Sequence, residues 1–224
     1  MKKLVYFIAL SESTCEAMQK QLLRFLGKYI DVKAWCIQCI SNEPEDFHTA
    51  DLYIFSNRTV LKAMRTHLTD SKSVLLATRN INIENIYKII KIKPHSDVLV
   101  IGTTEETSLL AIRLIKKIGF TNLNLIPFYP GIRNKITSGV TIAITTGHPH
   151  LVPPYIKNIV DLGSKGLDLS TFAELIRRLN IPTMLLNDIS QYYIKTVLDI
   201  GISKEETNIK NIFLKKNIDV ILDT

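Results

Sequence analysis

Five short stretches of this sequence hold side chains able to do chemistry, and each follows an apolar run of strand length. Ser11, Glu12, Ser13 and Thr14 come after Leu4–Ala9, and Ser56, Asn57, Arg58 and Thr59 come after Leu52–Phe55. Thr78, Arg79 and Asn80 close the run that starts at Val74, and Thr103 and Thr104 follow Asp97–Ile101. Thr145, Thr146, Gly147, His148, Pro149 and His150 end the fifth. The set is rich in hydroxyls and holds two arginines and two histidines, but no pair of carboxylates suited to acid–base work. Arginine forks a carboxylate or phosphate, while hydroxyls and helix N-terminal amides complete its shell. The expected chemistry is therefore capture of a small anion, with Arg58 and Arg79 as its charged contacts. Ser11, Ser13, Thr14, Ser56, Asn57, Thr78, Thr103, Thr104, Gly147, His148 and His150 are the remaining candidate ligand contacts.

Other motifs carry less. Gly102–Ser108 opens a helix after a strand but lacks the lysine and second glycine of a phosphate loop. Glu105 and Glu106 would repel phosphate there, and Thr103 with Glu106 fits a capping box. His148 and His150 flank a proline and could act as bases or metal ligands. No H-E-x-x-H helix and no nearby third ligand accompany them, so they read as a proline-braced loop shaping a pocket. No metal and no cofactor is expected. Cys36 and Cys39 form a C-x-x-C spacing inside the strand-like run Val32–Ile40, away from a helix start and with no second pair. They read as structural thiols. Cys15, in the first turn of a helix, is the one thiol placed for a lowered pKa.

The elements that must position these residues alternate strand with helix, the signature of βαβ units and a mainly parallel sheet. Ser13 with Glu16 predicts a capped first helix ending at a left-handed Gly27. A second strand is expected over Val32–Cys39 and a helix over Val60–Leu68. Lys93-Pro94-His95-Ser96 interrupts the pattern and predicts a lobe boundary. A second series follows: strand Asp97–Ile101, helix Glu105–Ile118, then strands Asn124–Pro127, Thr141–Thr145 and Asn158–Asp161. Helices are expected over Phe172–Leu179, Ser190–Leu198 and Lys204–Lys216, with Ile218–Leu222 apolar after them. The expected organisation is two Rossmann-like α/β lobes with mainly parallel sheets, an interlobe cleft and C-terminal helices. Residues 1–93 plus 167–224 form one lobe and 94–166 the other. In open parallel sheets ligands bind outside the carboxyl ends of the strands, which is why those five stretches matter.

Bulk properties narrow the class. The 224 residues are 46% hydrophobic and 22% charged, ordinary globular values. The net charge of +7 is dispersed, its densest spots being pairs such as Lys116-Lys117, Arg177-Arg178 and Lys215-Lys216. Direct nucleic-acid contact by this segment is not expected. No apolar run approaches the ~20 residues that span a bilayer. Met1–Leu10 imitates a signal peptide briefly, but Ser11-Glu12-Ser13 stands where a cleavage site should be. A cytoplasmic protein with no membrane partner is the expectation.

The order of segments resembles a known family. Ala50–Thr59, Ser73–Thr78, Asn85–Ile90 and Asp97–Ile101 are similar to the N-terminal sensory domain of propionate-catabolism-type, sigma-54-dependent transcription activators. Leu123–Gly131, Thr141–Pro153 and Ile159–Gly163 followed by Leu167–Thr171 resemble a Firmicutes variety of it. The resemblance covers most of residues 1–200. It implies two Rossmann-like lobes, with a small-molecule effector held between them that controls downstream ATPase and DNA-binding domains. A homodimer is its expected assembly. Asn57-Arg58 stand where the propionate branch has a glycine pair, so the same effector is not implied. No Walker A sequence or helix-turn-helix is read, and the ending at Thr224 predicts the sensory part of a longer chain. The alternative is a small bilobed enzyme, synthase- or racemase-like, acting on a small carboxylate through Cys15 or His148.

Overall fold

The computed structural model describes residues 2–39, 43–68, 73–132 and 139–202. In chain order the elements are β1 (Lys3–Ala9), α1 (Glu12–Leu26), β2 (Ile30–Cys36), β3 (Leu52–Phe55), α2 (Arg58–Ala63), β4 (Val74–Leu76), β5 (Arg79–Asn80) and α3 (Tyr87–Ile90). Then come β6 (Asp97–Ile101), α4 (Glu105–Lys117), β7 (Asn124–Phe128), β8 (Ile142–Thr145), β9 (Asn158–Asp161), β10 (Gly166–Leu167), α5 (Leu169–Arg178) and α6 (Met184–Ile202). The fold is α/β with two four-stranded sheets, ordered β2-β1-β3-β4 and β7-β6-β8-β9, and every pairing within them is parallel. Both have the doubly wound order in which the winding reverses beside the first strand.

The chain divides into two compact units. Of the described residues, the first holds those up to Asn80 with Gly166–Tyr192, and the second holds those from Ile81 to Lys165 with Tyr193 to Ile202. The boundary expected at Lys93 thus falls after Asn80, and the return falls at Gly166 where 167 was expected. The physical reason is packing: Ile81, Ile86 and Ile89 are buried with Val98, Val100 and Ile115 in the core of the second unit.

In the first unit β1 is the central strand, and Val5–Ala9 are all at most 1% exposed. A parallel strand covered on both faces must be apolar on both, which explains the unbroken run. On one face Tyr6, Trp35, Phe47 and Tyr53 form an edge-on aromatic cluster, with centroids of Tyr6–Phe47, Trp35–Phe47 and Phe47–Tyr53 at 5.2, 4.9 and 4.8 Å. Such contacts add to the area buried. Its phenols stay satisfied: Tyr6 donates to Asp46, and Tyr53 donates to the Phe47 carbonyl. α1 buries Cys15, Met18, Leu22 and Leu26, the single face of an amphipathic helix.

In the second unit Val98–Ile101 are buried and α4 buries Ser108, Ala111, Ile112 and Ile115. Ser108 joins two strands, its hydroxyl donating to Val100 O (2.7 Å) and accepting from Phe128 N (3.3 Å). Gly102 lets α4 sit this close.

Local differences from the sequence expectations have local causes. α1 starts at Glu12 with Ser11 as the extended N-cap residue, and the Ser11 hydroxyl donates to Thr14 Oγ1 (3.0 Å) instead of capping an amide. Gly27 closes α1 in the right-handed region, φ −61°. The capping box of α4 is Thr104 with Thr107. The helix expected over Val60–Leu68 is α2 followed by a 3-10 turn, Arg65–His67. Of the C-terminal helices, Ser190–Leu198 lies within α6, whereas Lys204–Lys216 and Ile218–Leu222 lie outside the described residues. Unexpected from sequence is the antiparallel pair β5–β10, with Gly166 opposite Asn80 and Leu167 opposite Arg79.

A Cβ at Gly102 would lie 2.7 Å from Thr107 Oγ1 and 2.8 Å from Ser108 Cα. Gly102→Ala is therefore expected to destabilise the chain by about 1–3 kcal/mol, the range of overpacking substitutions, read as a lowered midpoint in urea unfolding.

Candidate functional site

The carboxyl ends of β1 and β3 define the switch point of the first sheet. Ile8 pairs with Phe55, and Ser56 N donates to Ile8 O (2.9 Å), so the two loops leave the edge side by side. This brings Ser11, Ser13, Thr14 and Ser56 to one place. The Ser11 hydroxyl bonds Thr14 Oγ1 and lies 3.5 Å from Ser13 Oγ, leaving the first amides of α1 without a side-chain cap. The first ladder bond of α1 is Cys15 N to Ser11 O, 3.1 Å. Ser56 is 4% exposed, and its hydroxyl makes no hydrogen bond among the described residues. No described buried side-chain oxygen or nitrogen lacks a partner, so this unbonded hydroxyl is one that solvent, or a ligand, can reach.

The neighbouring candidates divide. Asn57 is committed to structure, its side chain capping α2 by accepting from Val60 N (2.9 Å). Arg58 is exposed at the first residue of α2. Thr78 is exposed, and its backbone is clamped by Thr171: N donates to Thr171 Oγ1 (2.9 Å), and that hydroxyl donates to Thr78 O (3.1 Å). Arg79 lies in β5 opposite Leu167, half-buried, with no hydrogen bond or ion pair among the described residues. Desolvation pushes its guanidinium pKa down, the sign of a cation held where an anion would relieve it.

The second sheet has its switch point at the ends of β6 and β8, where Ile101 pairs with Thr145. Thr103 and Thr104 leave the first strand and Gly147 and His148 follow the second. Thr103 is exposed, and Thr104 is engaged in the capping box. The β8 loop is fixed by groups at the strand ends. Thr145 Oγ1 accepts from His148 N (3.0 Å), and Asp161 Oδ1 accepts from both Gly147 N and Gly163 N (2.9 Å each). Gly147 has φ +88°, a conformation natural to glycine. Lys88 Nζ donates to Asp161 O (2.8 Å), and Asn85 donates to Leu162 O (3.1 Å). His148 is half-buried and His150 exposed, their rings 6.0 Å apart. Burial holds the His148 imidazole below its ordinary 6.5, His150 and Lys165 add to this, and Asp161 opposes it.

Asp161, Asn85 and Lys88 were not singled out in the sequence. Asp161-Leu162-Gly163 does carry a turn signal, an aspartate accepting from an amide two residues on. Cys36 and Cys39 are also redrawn. β2 ends at Cys36 and the chain turns, so the Cα atoms are 5.3 Å apart and the sulfurs are joined. Continued strand would have set them roughly 10 Å apart. Cys15 is buried and its thiol is pushed up to about 11, chiefly by desolvation. That is the reverse of an activated nucleophile. No group of three histidine, cysteine or acidic side chains able to hold a metal occurs among the described residues. No described helix is long and apolar enough to cross a membrane.

No family model, curated protein or solved structure matches this chain.

Two outcomes are expected. Asp161→Ala leaves two glycine amides without their acceptor and should destabilise the chain by about 1–3 kcal/mol, measured by urea unfolding. In an NMR titration the His148 midpoint should lie below the ordinary imidazole value of 6.5. Because its folded pKa is depressed, the unfolded chain binds the proton first. Its share of stability is therefore complete above 6.5 and is lost on acidification below that value. A His148→Gln chain should lose less stability across that window than the parent.

Proposed function

We propose that this chain is the ligand-sensing domain of a sigma-54-dependent transcription activator, and that it takes a small anionic metabolite at the carboxyl edge of its first sheet. The observation that carries the anion reading is the half-buried Arg79 with no anionic partner, in the same unit as the unbonded Ser56 hydroxyl and the uncapped start of α1. Arginine, hydroxyl and helix amides are the groups that hold carboxylate and phosphate. The exposed Arg58 supplies further positive charge at the start of α2. Against turnover stand the absence of a paired acid and base in these loops and the protonated state of Cys15.

The step from binding to regulation is supported by the resemblance of segments such as Ala50–Thr59 and Thr141–Pro153 to activator sensory domains. A metabolite with different affinities for two conformers shifts their populations, and that shift is the signal. On this reading the protein is cytoplasmic, pairs with a second copy, and passes the signal to ATPase and DNA-binding domains of the activator.

A thermal-shift screen with small carboxylates and phosphorylated metabolites tests the proposal. A ligand at 100 times its Kd stabilises the fold by about 2.7 kcal/mol, a rise of a few degrees. Ser56→Ala and Arg79→Gln should each weaken the hit by about tenfold or more, the loss expected when a hydrogen bond to a charged group is removed. Unchanged affinity in both variants would place the ligand elsewhere, and consumption of the compound would mark an enzyme.

A further inference from the structure

The end of β2 carries a second kind of chemistry. Cys36 is the last residue of the strand, paired with Ala9 of β1, and is 4% exposed. Cys39 is exposed and lies three residues on, at the far end of a turn. Two backbone hydrogen bonds build that turn without help from sulfur. Ile37 N donates to Ala9 O (3.0 Å), and Cys39 N donates to Cys36 O (3.1 Å). The Cα separation of 5.3 Å is thus held by the backbone, within the span that a disulfide bridges. A bond closing so short a loop constrains the unfolded chain least, so its stabilising role is small. What remains distinctive is one exposed sulfur beside one buried sulfur in a preformed turn.

We propose that Cys36 and Cys39 form a reversible thiol–disulfide site, opened by an external thiolate at the Cys39 sulfur and closed again by Cys36. The attacking thiolate, from a small thiol or a dithiol protein, bonds to Cys39 Sγ and breaks the Cys36–Cys39 bond. Cys36 leaves as thiolate and takes a proton from water. A second thiolate of the reductant then displaces Cys39, which is protonated in turn, and the reductant departs as a disulfide. Two electrons and two protons enter the protein. Access favours attack at the exposed sulfur.

The reduced state has an acceptor waiting. Cys36 Sγ lies 3.1 Å from Leu10 O, a contact that becomes a hydrogen bond only when the sulfur carries a proton. Leu10 immediately precedes Ser11, the N-cap of α1, so reduction adds a bond at the loop assigned above to the ligand. That consequence rests on the proposed function, whereas the sulfur chemistry does not. Cys15 stays out of the exchange as a buried, protonated thiol.

The test equilibrates the full chain in glutathione buffers running from oxidising to reducing, quenches in acid, alkylates, and assigns the label by mass spectrometry. Cys36 and Cys39 should gain label together, with a midpoint inside the glutathione range, while Cys15 of the folded chain resists alkylation unless the chain is denatured. A pair that stays unlabelled at the reducing end, or fully labelled at the oxidising end, would overturn the proposal. With oxidised glutathione, Cys36→Ser should trap a mixed disulfide on Cys39, and Cys39→Ser should leave Cys36 unmodified; the opposite pattern removes Cys39 as the attacked sulfur. If either variant fails to fold, the titration of the parent chain still decides. No metabolite enters this experiment, so its failure and failure of the sensory reading are separate results.

Discussion

β1 pairs with β2 over its whole length, from Lys3↔Ile30 to Ala9↔Cys36, while its other edge pairs with β3 from Val5↔Leu52 to Ile8↔Phe55. A strand bonded on both edges and covered on both faces has no place for a polar side chain, and Val5–Ala9 offer none except the Tyr6 phenol. The chemistry of the unit is thereby confined to where the strands stop. The same pressure acts on β6, whose Val98–Ile101 are buried between β7 and β8. Parallel pairing also puts all four strand ends of a sheet on one edge, and the order of winding decides which two loops meet.

Polar groups admitted near these cores are those that tie elements together. Ser108 lies under α4 and satisfies a carbonyl of β6 and an amide of β7 at once. Thr171, 2% exposed at the start of α5, closes both backbone groups of Thr78. Gln21 of α1 accepts from Leu167 N (2.7 Å), joining β10 to the first helix. Ser108 and Thr171 are bonded in the dry interior, where an unpaired group costs most, and Gln21 at its half-buried margin. Within the first unit the Ser56 hydroxyl and the Arg79 guanidinium make no such bond to a described residue.

The apolar runs and their alternation with amphipathic helices were legible in the sequence, and β6 and β9 have the expected bounds. Caps were less legible, since Ser11, Ser13 and Thr14 all suit an N-cap, yet Ser11 stands there with its hydroxyl bonded to Thr14 and capping no amide. The two-residue strands β5 and β10 carry no periodicity to read, and their pairing spans a long separation in the chain. The candidate loops could be listed because they follow strands. Which of their members stay free depends on tertiary partners such as Val60 N for Asn57. Cys36 and Cys39 were misread for a similar reason, because an apolar run does not announce the residue at which a strand turns.

Two sheets of one topology therefore carry edges of different character. At the second edge the carboxylate of Asp161 already holds two amides, Thr145 holds a third, and Thr104 and Thr107 saturate each other at the start of α4. Glu105 and Glu106 add negative charge there, which suits the helix dipole and repels an anion. At the first edge α1 begins without a side-chain cap and carries one acidic residue in its opening turn, Glu12. That edge also borders the sulfur pair at the end of β2. An aspartate at a strand end rigidifies a loop by consuming its donors, whereas hydroxyls that bond one another leave the neighbouring amides free. The first edge therefore keeps helix amides without a side-chain acceptor, whereas the second is a braced turn where burial lowers the pKa of His148.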